Sequence, residues 1–239
     1  MDASRRDVEL KVADTGSMLC YLALPARPNG AALVVLQEIF GVNTYIRNVV
    51  DSFADAGFVT IAPDLFWRQT PGVQLSPADP SDRERATSLM KGLDTQLALA
   101  DATAAVKFAQ SQLQATAPAL AVGYCLGGKL SFLLAAKGAI EAAVSYYGVG
   151  IHQVLADAGS IKGRVLLHVA QADPLCPPDA QAEIARALTS LGARAQVLTY
   201  PGVGHAFARP GGAGFNQEAT AQADRATLAF LRQGLPAGH

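Results

Sequence analysis

Three residue types with the right order for acyl transfer stand out in this 239-residue chain: a cysteine, an aspartate and a histidine. Cys125 is the centre of Gly123-Tyr124-Cys125-Leu126-Gly127, between the apolar run 119–122 and the helix-like segment 126–137. A strand that turns at once into a helix forces its apex residue into a strained conformation. A side chain two positions to either side would collide there, which is a physical reason for both glycines. At a helix start the backbone N–H groups and the dipole favour a thiolate, and the same N–H groups can hold an oxyanion. His205 lies in the loop Pro201-Gly202-Val203-Gly204-His205, between a strand pattern and the last helix pattern, where a general base can reach the nucleophile. Of the carboxylates between Cys125 and His205, Asp157, Asp173 and Asp179 are the choices, and only Asp173 directly follows a strand end. Asp179 opens a helix, where capping explains it. Glu38 closes an apolar strand and reads equally as a functional acid or as a surface carboxylate on a loop.

The other cysteines and histidines have plainer readings. Cys20 falls in an edge strand and Cys176 in a proline-bounded loop; no C-x-x-C pair suggests redox chemistry. His168 lies mid-strand and reads as a core histidine, His152 follows a glycine-rich loop without a defined role, and His239 is terminal. The histidines and cysteines are too few and too scattered for a metal ligand set, and no organic cofactor is implied.

The elements that must position these groups follow from periodicity. Residues 8–23 read as an edge hairpin around Asp14-Thr15-Gly16. Buried strands are predicted at 31–36, 59–62, 119–123, 142–147, 165–170 and 195–200. Helices are predicted from the Asn43 cap to about 56 with Gly57 as the stop, and from a capping box at Ser81-Asp82-Arg83-Glu84. Further helices run to about 113 on a face of Leu93, Leu97, Ala100, Ala104 and Phe108, over 178–191, and from 216 to about 234. Strands alternating with helices imply a mostly parallel central sheet with helices on both faces, in one domain spanning 1–239. Ligands of such sheets bind beyond the carboxyl ends of the strands. Glu38, Asp64, Cys125, Tyr147, Asp173 and His205 all follow strand ends, and the order Cys125, Asp173, His205 is that of an α/β-hydrolase.

Bulk properties exclude several classes. With 50% apolar and 16% charged residues the chain can bury a large core and is not disordered. A net charge of −1 without a basic run argues against nucleic acid and anionic membranes. No apolar stretch is long enough for a membrane span, residues 1–12 have no apolar signal region, and three unpaired cysteines suit a reducing compartment, so a cytoplasmic location is expected.

Taken together, the motifs resemble the dienelactone hydrolase (carboxymethylenebutenolidase) family over about residues 18–232. The residues that carry this are Gln37-Glu38-Ile39-Phe40-Gly41-Val42-Asn43, Pro63-Asp64-Leu65, Gly123-Tyr124-Cys125-Leu126-Gly127-Gly128, Tyr146-Tyr147-Gly148-Val149-Gly150 and Gly204-His205-Ala206-Phe207-Ala208-Arg209. The resemblance implies a bacterial cytoplasmic enzyme that opens a carboxylate-bearing unsaturated lactone to maleylacetate during chloroaromatic degradation. It assigns Cys125, His205 and Asp173 as the triad, and Glu38 as an acid that meets the resting thiol and takes its proton when substrate binds. It assigns the N–H groups of Leu126 and Ile39 to the oxyanion. Substrate binding falls to Arg209 and Arg83, with Arg85 close enough to confuse the second, together with Tyr147 and Phe40. The partner is then a small lactone or ester, acted on by a monomer. Ala206, Thr87 and Met90 depart from the family's serine, tyrosine and tryptophan, so the preferred lactone can differ while the machinery persists.

Overall fold

The computed structural model describes residues 3–12, 16–113 and 117–235. A mixed, largely parallel sheet flanked by helices is the architecture, and the chain divides into two compact units at Leu120/Ala121.

The first unit contains β1 (Ser4–Lys11), β2 (Ser17–Leu24), β3 (Ala32–Leu36) and β4 (Val59–Pro63), in the spatial order β1-β2-β4-β3. β1 and β2 pair antiparallel as the expected hairpin, though Asp14 and Thr15 of its turn signal lie outside the described residues. β2 also runs antiparallel to β4, while β3 and β4 are parallel and joined by α1 (Thr44–Asp55). That crossover forms as its residues dictate. The Asn43 side chain accepts from the Ile46 N–H, a cap worth about 1 kcal/mol. Ile46, Val50 and Phe53 point inward, each contributing roughly 1.5–3 kcal/mol by burial. Gly57, at φ +101°, ends the helix in a conformation other residues avoid.

Two expectations in this unit need correction. α2 (Pro80–Lys91) is capped by Asp79, whose carboxylate accepts from the N–H groups of Ser81 and Asp82; Pro80 at the first helical position shifts the start upstream of the Ser81 box. α3 (Thr95–Ser111) buries Ala98, Leu99, Ala102, Ala105, Val106 and Ala109, whereas Leu97 is exposed. Small residues let α3 approach β3 and β4, and the buried face also holds the carboxylate of Asp101, which a purely apolar pattern skips.

The second unit orders β5 (Ala119–Tyr124), β6 (Ala142–Tyr146), β7 (Arg164–Ala170) and β8 (Ala195–Tyr200) side by side, with β6, β7 and β8 parallel. α4 (Leu126–Ala136) leaves β5 and packs on β6. A 3-10 segment, Ile151–Ser160, precedes β7 where no element was expected. α5 (Pro178–Leu188) ends earlier than predicted, in a 3-10 stretch kinked at Gly192. Asp179 lies in the first turn of α5, but the cap position itself is Pro177. α6 (Gln217–Arg232) begins at its Asn216 cap and buries Ala219, Ala223, Thr227, Phe230 and Leu231.

Candidate active site

The turn between β5 and α4 has the strain that its sequence predicts. Cys125 sits at φ 54°, ψ −111°. A Cβ on Gly123 would lie 1.9 Å from the Gly127 carbonyl oxygen, so no side chain fits where the turn folds back. Gly128 is equally confined: a Cβ there would meet the Gly148 Cα at 2.7 Å. The strained backbone is held on both sides. The Cys125 N–H donates to the Tyr146 carbonyl at 3.0 Å, and the Cys125 carbonyl accepts from the N–H groups of Gly128 at 3.0 Å and Val149 at 3.2 Å. Leu126 opens α4, where the first backbone N–H groups lack intrahelical acceptors and no side chain caps them. Those donors can stabilise an oxyanion formed at the thiol.

Asp173 and His205 come together from the loops after β7 and β8. The loops are tied by main-chain bonds, Ala172 N–H to the Val203 carbonyl at 2.9 Å and Gln171 N–H to the Tyr200 carbonyl at 3.1 Å. Asp173 is almost wholly buried; one oxygen accepts from the Leu175 N–H at 2.8 Å and the other bonds His205 Nδ1 at 2.7 Å. The edge of the Tyr147 ring system packs on the imidazole, with centroids 5.1 Å apart. Burial alone would lower the His205 pKa. Hydrogen bonds to Asp173 and Cys125, with the charges of both, outweigh it and raise the pKa from 6.5 to about 10. The arrangement therefore favours a protonated imidazole, bonded to Asp173 through Nδ1 and with its second nitrogen turned to the Cys125 sulfur. Of the other thiols, Cys176 beside Asp173 is pushed up to about 11 and Cys20 to about 12, chiefly by burial. Neither has the setting of a nucleophile.

The first unit places the remaining predicted residues as follows. Glu38 is 2% exposed, so it is not a surface carboxylate. It follows Gln37, whose side chain accepts from the Leu65 N–H and donates to the Glu38 carbonyl. Ile39 and Phe40 form the turn after it, and the Phe40 carbonyl accepts from the Leu75 N–H at 2.9 Å. Asp64 receives the N–H groups of Phe66 at 3.0 Å and Gly72 at 2.7 Å, so it pins the loop after β4, a role the sequence did not reveal. Arg83 is exposed on α2 and donates to the carbonyls of Pro77 and Ala78; Arg85 is exposed on the same helix. Thr87 lies one turn beyond Arg83 and donates to its carbonyl, and Met90 is half-buried. In the second unit Arg209 is half-buried and lies against Gly212, and Ala206 occupies φ 60° with its side chain buried. Among the described residues no three His, Cys, Asp or Glu side chains gather as a metal site, and no helix is long and apolar enough to cross a membrane.

Comparison with known proteins gives a consistent picture. The model of the dienelactone hydrolase family matches residues 18–235. A protein of Azospirillum brasilense that carries the carboxymethylenebutenolidase name provisionally is 40% identical over 232 residues, covering 96% of this chain and 99% of its own. The carboxymethylenebutenolidase of Pseudomonas putida is 38% identical over 209 residues, 87% of each chain. A crystal structure from Klebsiella pneumoniae, provisionally titled a dienelactone hydrolase, superposes with TM-score 0.81 at 27% identity over 96% of this chain and 99% of the other. The fold is thus α/β-hydrolase-like.

Proposed function

The chain belongs to the dienelactone hydrolase family, and from that premise we propose that it opens a carboxylate-bearing unsaturated lactone, dienelactone to maleylacetate or a close analogue. Hydrolase activity on small lactones or esters holds at the level of the family; the particular lactone and the cysteine mechanism are the proposal. The observation that carries it is a cysteine held at positive φ on a helix start, in hydrogen-bond reach of a histidine that is bonded at 2.7 Å to a buried aspartate. Residues 1–239 would act as one catalytic domain, a cytoplasmic monomer needing only its small-molecule substrate.

The Cys125 thiolate attacks the lactone carbonyl carbon, and the N–H groups of Leu126 and Ile39 take the oxyanion. Collapse breaks the ring C–O bond, leaves an acyl thioester and expels an enolate. Acylation removes the thiolate charge, one of the causes that hold the His205 pKa up, so the imidazolium gives its proton to the enolate. The neutral imidazole then takes a proton from water as the water attacks the thioester. Expulsion of the product acid restores thiolate and imidazolium, with Asp173 orienting the ring throughout. Glu38 takes the thiol proton on substrate binding and returns it to the thiolate when product leaves, which keeps the resting cysteine from oxidation. Arg209 and Arg83 bind the substrate carboxylate.

Ala206 and Thr87 favour a second reading, a broader carboxylesterase or thioesterase for another small acyl group. A substrate panel separates the two. The first reading expects carboxylate-bearing lactones to exceed neutral esters in kcat/KM by about tenfold or more. Equal rates would leave the second, and inertness toward both would remove hydrolysis altogether.

A further inference from the structure

A run of buried hydrogen bonds crosses the second unit beneath the triad and takes no part in the mechanism above. His168 in β7 is 1% exposed; its Nδ1 meets the Tyr200 hydroxyl at 2.8 Å and its Nε2 meets Thr227 Oγ1 at 2.8 Å. Thr227 Oγ1 also meets the Tyr146 hydroxyl at 2.7 Å, and that hydroxyl donates to the Asp224 carboxylate at 2.9 Å. Asp224 stands three residues before Thr227 on α6, its residue exposed while the carboxyl end turns inward.

The proton inventory gives this chain one direction when Asp224 is ionised. Tyr146 has a single hydroxyl proton, and the carboxylate takes it. The Thr227 hydroxyl must then donate to the Tyr146 oxygen, so Thr227 Oγ1 accepts from His168 Nε2–H. Burial holds the His168 pKa down at about 3, so the ring is neutral and carries one N–H. Nδ1 is consequently the acceptor for the Tyr200 hydroxyl. Four oriented bonds lead from the end of β8 to the surface of α6.

The three strand residues in this run also hold the site through their main chains. The Tyr146 carbonyl accepts from Cys125 N–H at 3.0 Å. The His168 carbonyl accepts from Tyr147 N–H at 2.9 Å, and the Tyr147 ring packs on His205. The Tyr200 carbonyl accepts from Gln171 N–H at 3.1 Å, two residues before Asp173. Side-chain bonds that lock Tyr146, His168 and Tyr200 to α6 thereby fix the carbonyls that hold the nucleophile turn and the acid loop.

We propose that Asp224 and Thr227 are positioning residues for Cys125, acting through the oriented chain Tyr200–His168–Thr227–Tyr146–Asp224. This rests on the reading of Cys125 as the nucleophile, and thiol reactivity tests it apart from any substrate. Asp224→Ala, at an exposed helix site that should fold, and Thr227→Val each remove a link; Asp224→Asn and Thr227→Ser keep an acceptor or a hydroxyl in place. The expected result is a fall of about three- to tenfold in kcat, KM unchanged, and a parallel fall in the alkylation rate of Cys125 by iodoacetamide, with Asn and Ser recovering most of both. Nitrogen NMR should show His168 as the Nε2–H tautomer. An Nδ1–H tautomer, or Ala and Val variants that lose melting temperature but keep kcat and alkylation rate, would overturn the proposal. If the unaltered protein hydrolyses no lactone or ester while the alkylation pattern holds, the positioning role stands and the proposed reaction falls.

Discussion

Two buried carboxylates, Asp101 in the first unit and Asp173 in the second, differ in what they hold rather than in how deeply they lie. Both are nearly inaccessible, and both bond a ring N–H: Asp101 takes Trp67 Nε1 at 2.9 Å, and Asp173 takes His205 Nδ1 at 2.7 Å. Asp101 also forms an ion pair with Arg68, whose guanidinium lies over the Trp67 ring at 4.2 Å. An indole N–H does not leave its nitrogen in water, and a guanidinium keeps its charge, so neither side chain bonded to Asp101 can move a proton. The imidazole on Asp173 can. Burial of an acid therefore identifies neither site; the titratability of its partner does.

The largest effect expected from this contrast is at the nucleophile and its acid. Cys125→Ala should abolish hydrolysis, and Asp173→Asn should lower kcat by about a thousandfold or more with little change in the far-ultraviolet circular dichroism, because the amide cannot support the imidazolium. Asp101→Leu is the reciprocal case. It should cost about 1–3 kcal/mol in chemical denaturation, since it leaves the buried Trp67 indole N–H without its acceptor, yet leave kcat per folded molecule within about twofold. Reversal of these two patterns would erase the distinction.

The distinction sharpens with pH. The folded His205 pKa of about 10 lies above the ordinary 6.5, so its pairing contributes stability in full below about pH 6.5 and loses it as pH rises through 10. The unaltered protein should lose melting temperature relative to His205→Gln between pH 7 and 10. Parallel curves would mean that the imidazolium is not held as the geometry implies. A smaller effect belongs to the scaffold: Asn43→Ala should cost about 1 kcal/mol through the lost α1 cap, with kcat unchanged.

How much of this was legible in the sequence depended on the distance over which each feature is encoded. The Cys125 turn was legible because its strain must be met within four residues, by Gly123 and Gly127. The Asn43 cap and the Gly57 stop were legible for the same local reason. Asp173 and His205 could be chosen because strand ends are marked by apolar runs, and the two do meet across 32 positions. The α2 start misled because Ser81 and Asp79 are both competent caps, and Pro80 decides between them only through its fixed φ. The α3 face misled because leucines outweigh alanines in a hydropathy pattern, whereas close packing prefers the alanines and tolerates Asp101 once it is paired. The bonds among Tyr146, His168 and Thr227 join residues 59 to 81 positions apart, and nothing local announces them.

The central claim is that Cys125 carries the acyl group. Rapid acid quench of the protein with a carboxylate-bearing lactone or an activated aryl ester, followed by peptide mass spectrometry, tests it most directly. The expected result is an acyl mass increment on the peptide containing Cys125, lost in Cys125→Ala and longer-lived in His205→Gln. Turnover by Cys125→Ala at the unaltered rate, or an increment on another residue that turns over at kcat, would contradict it.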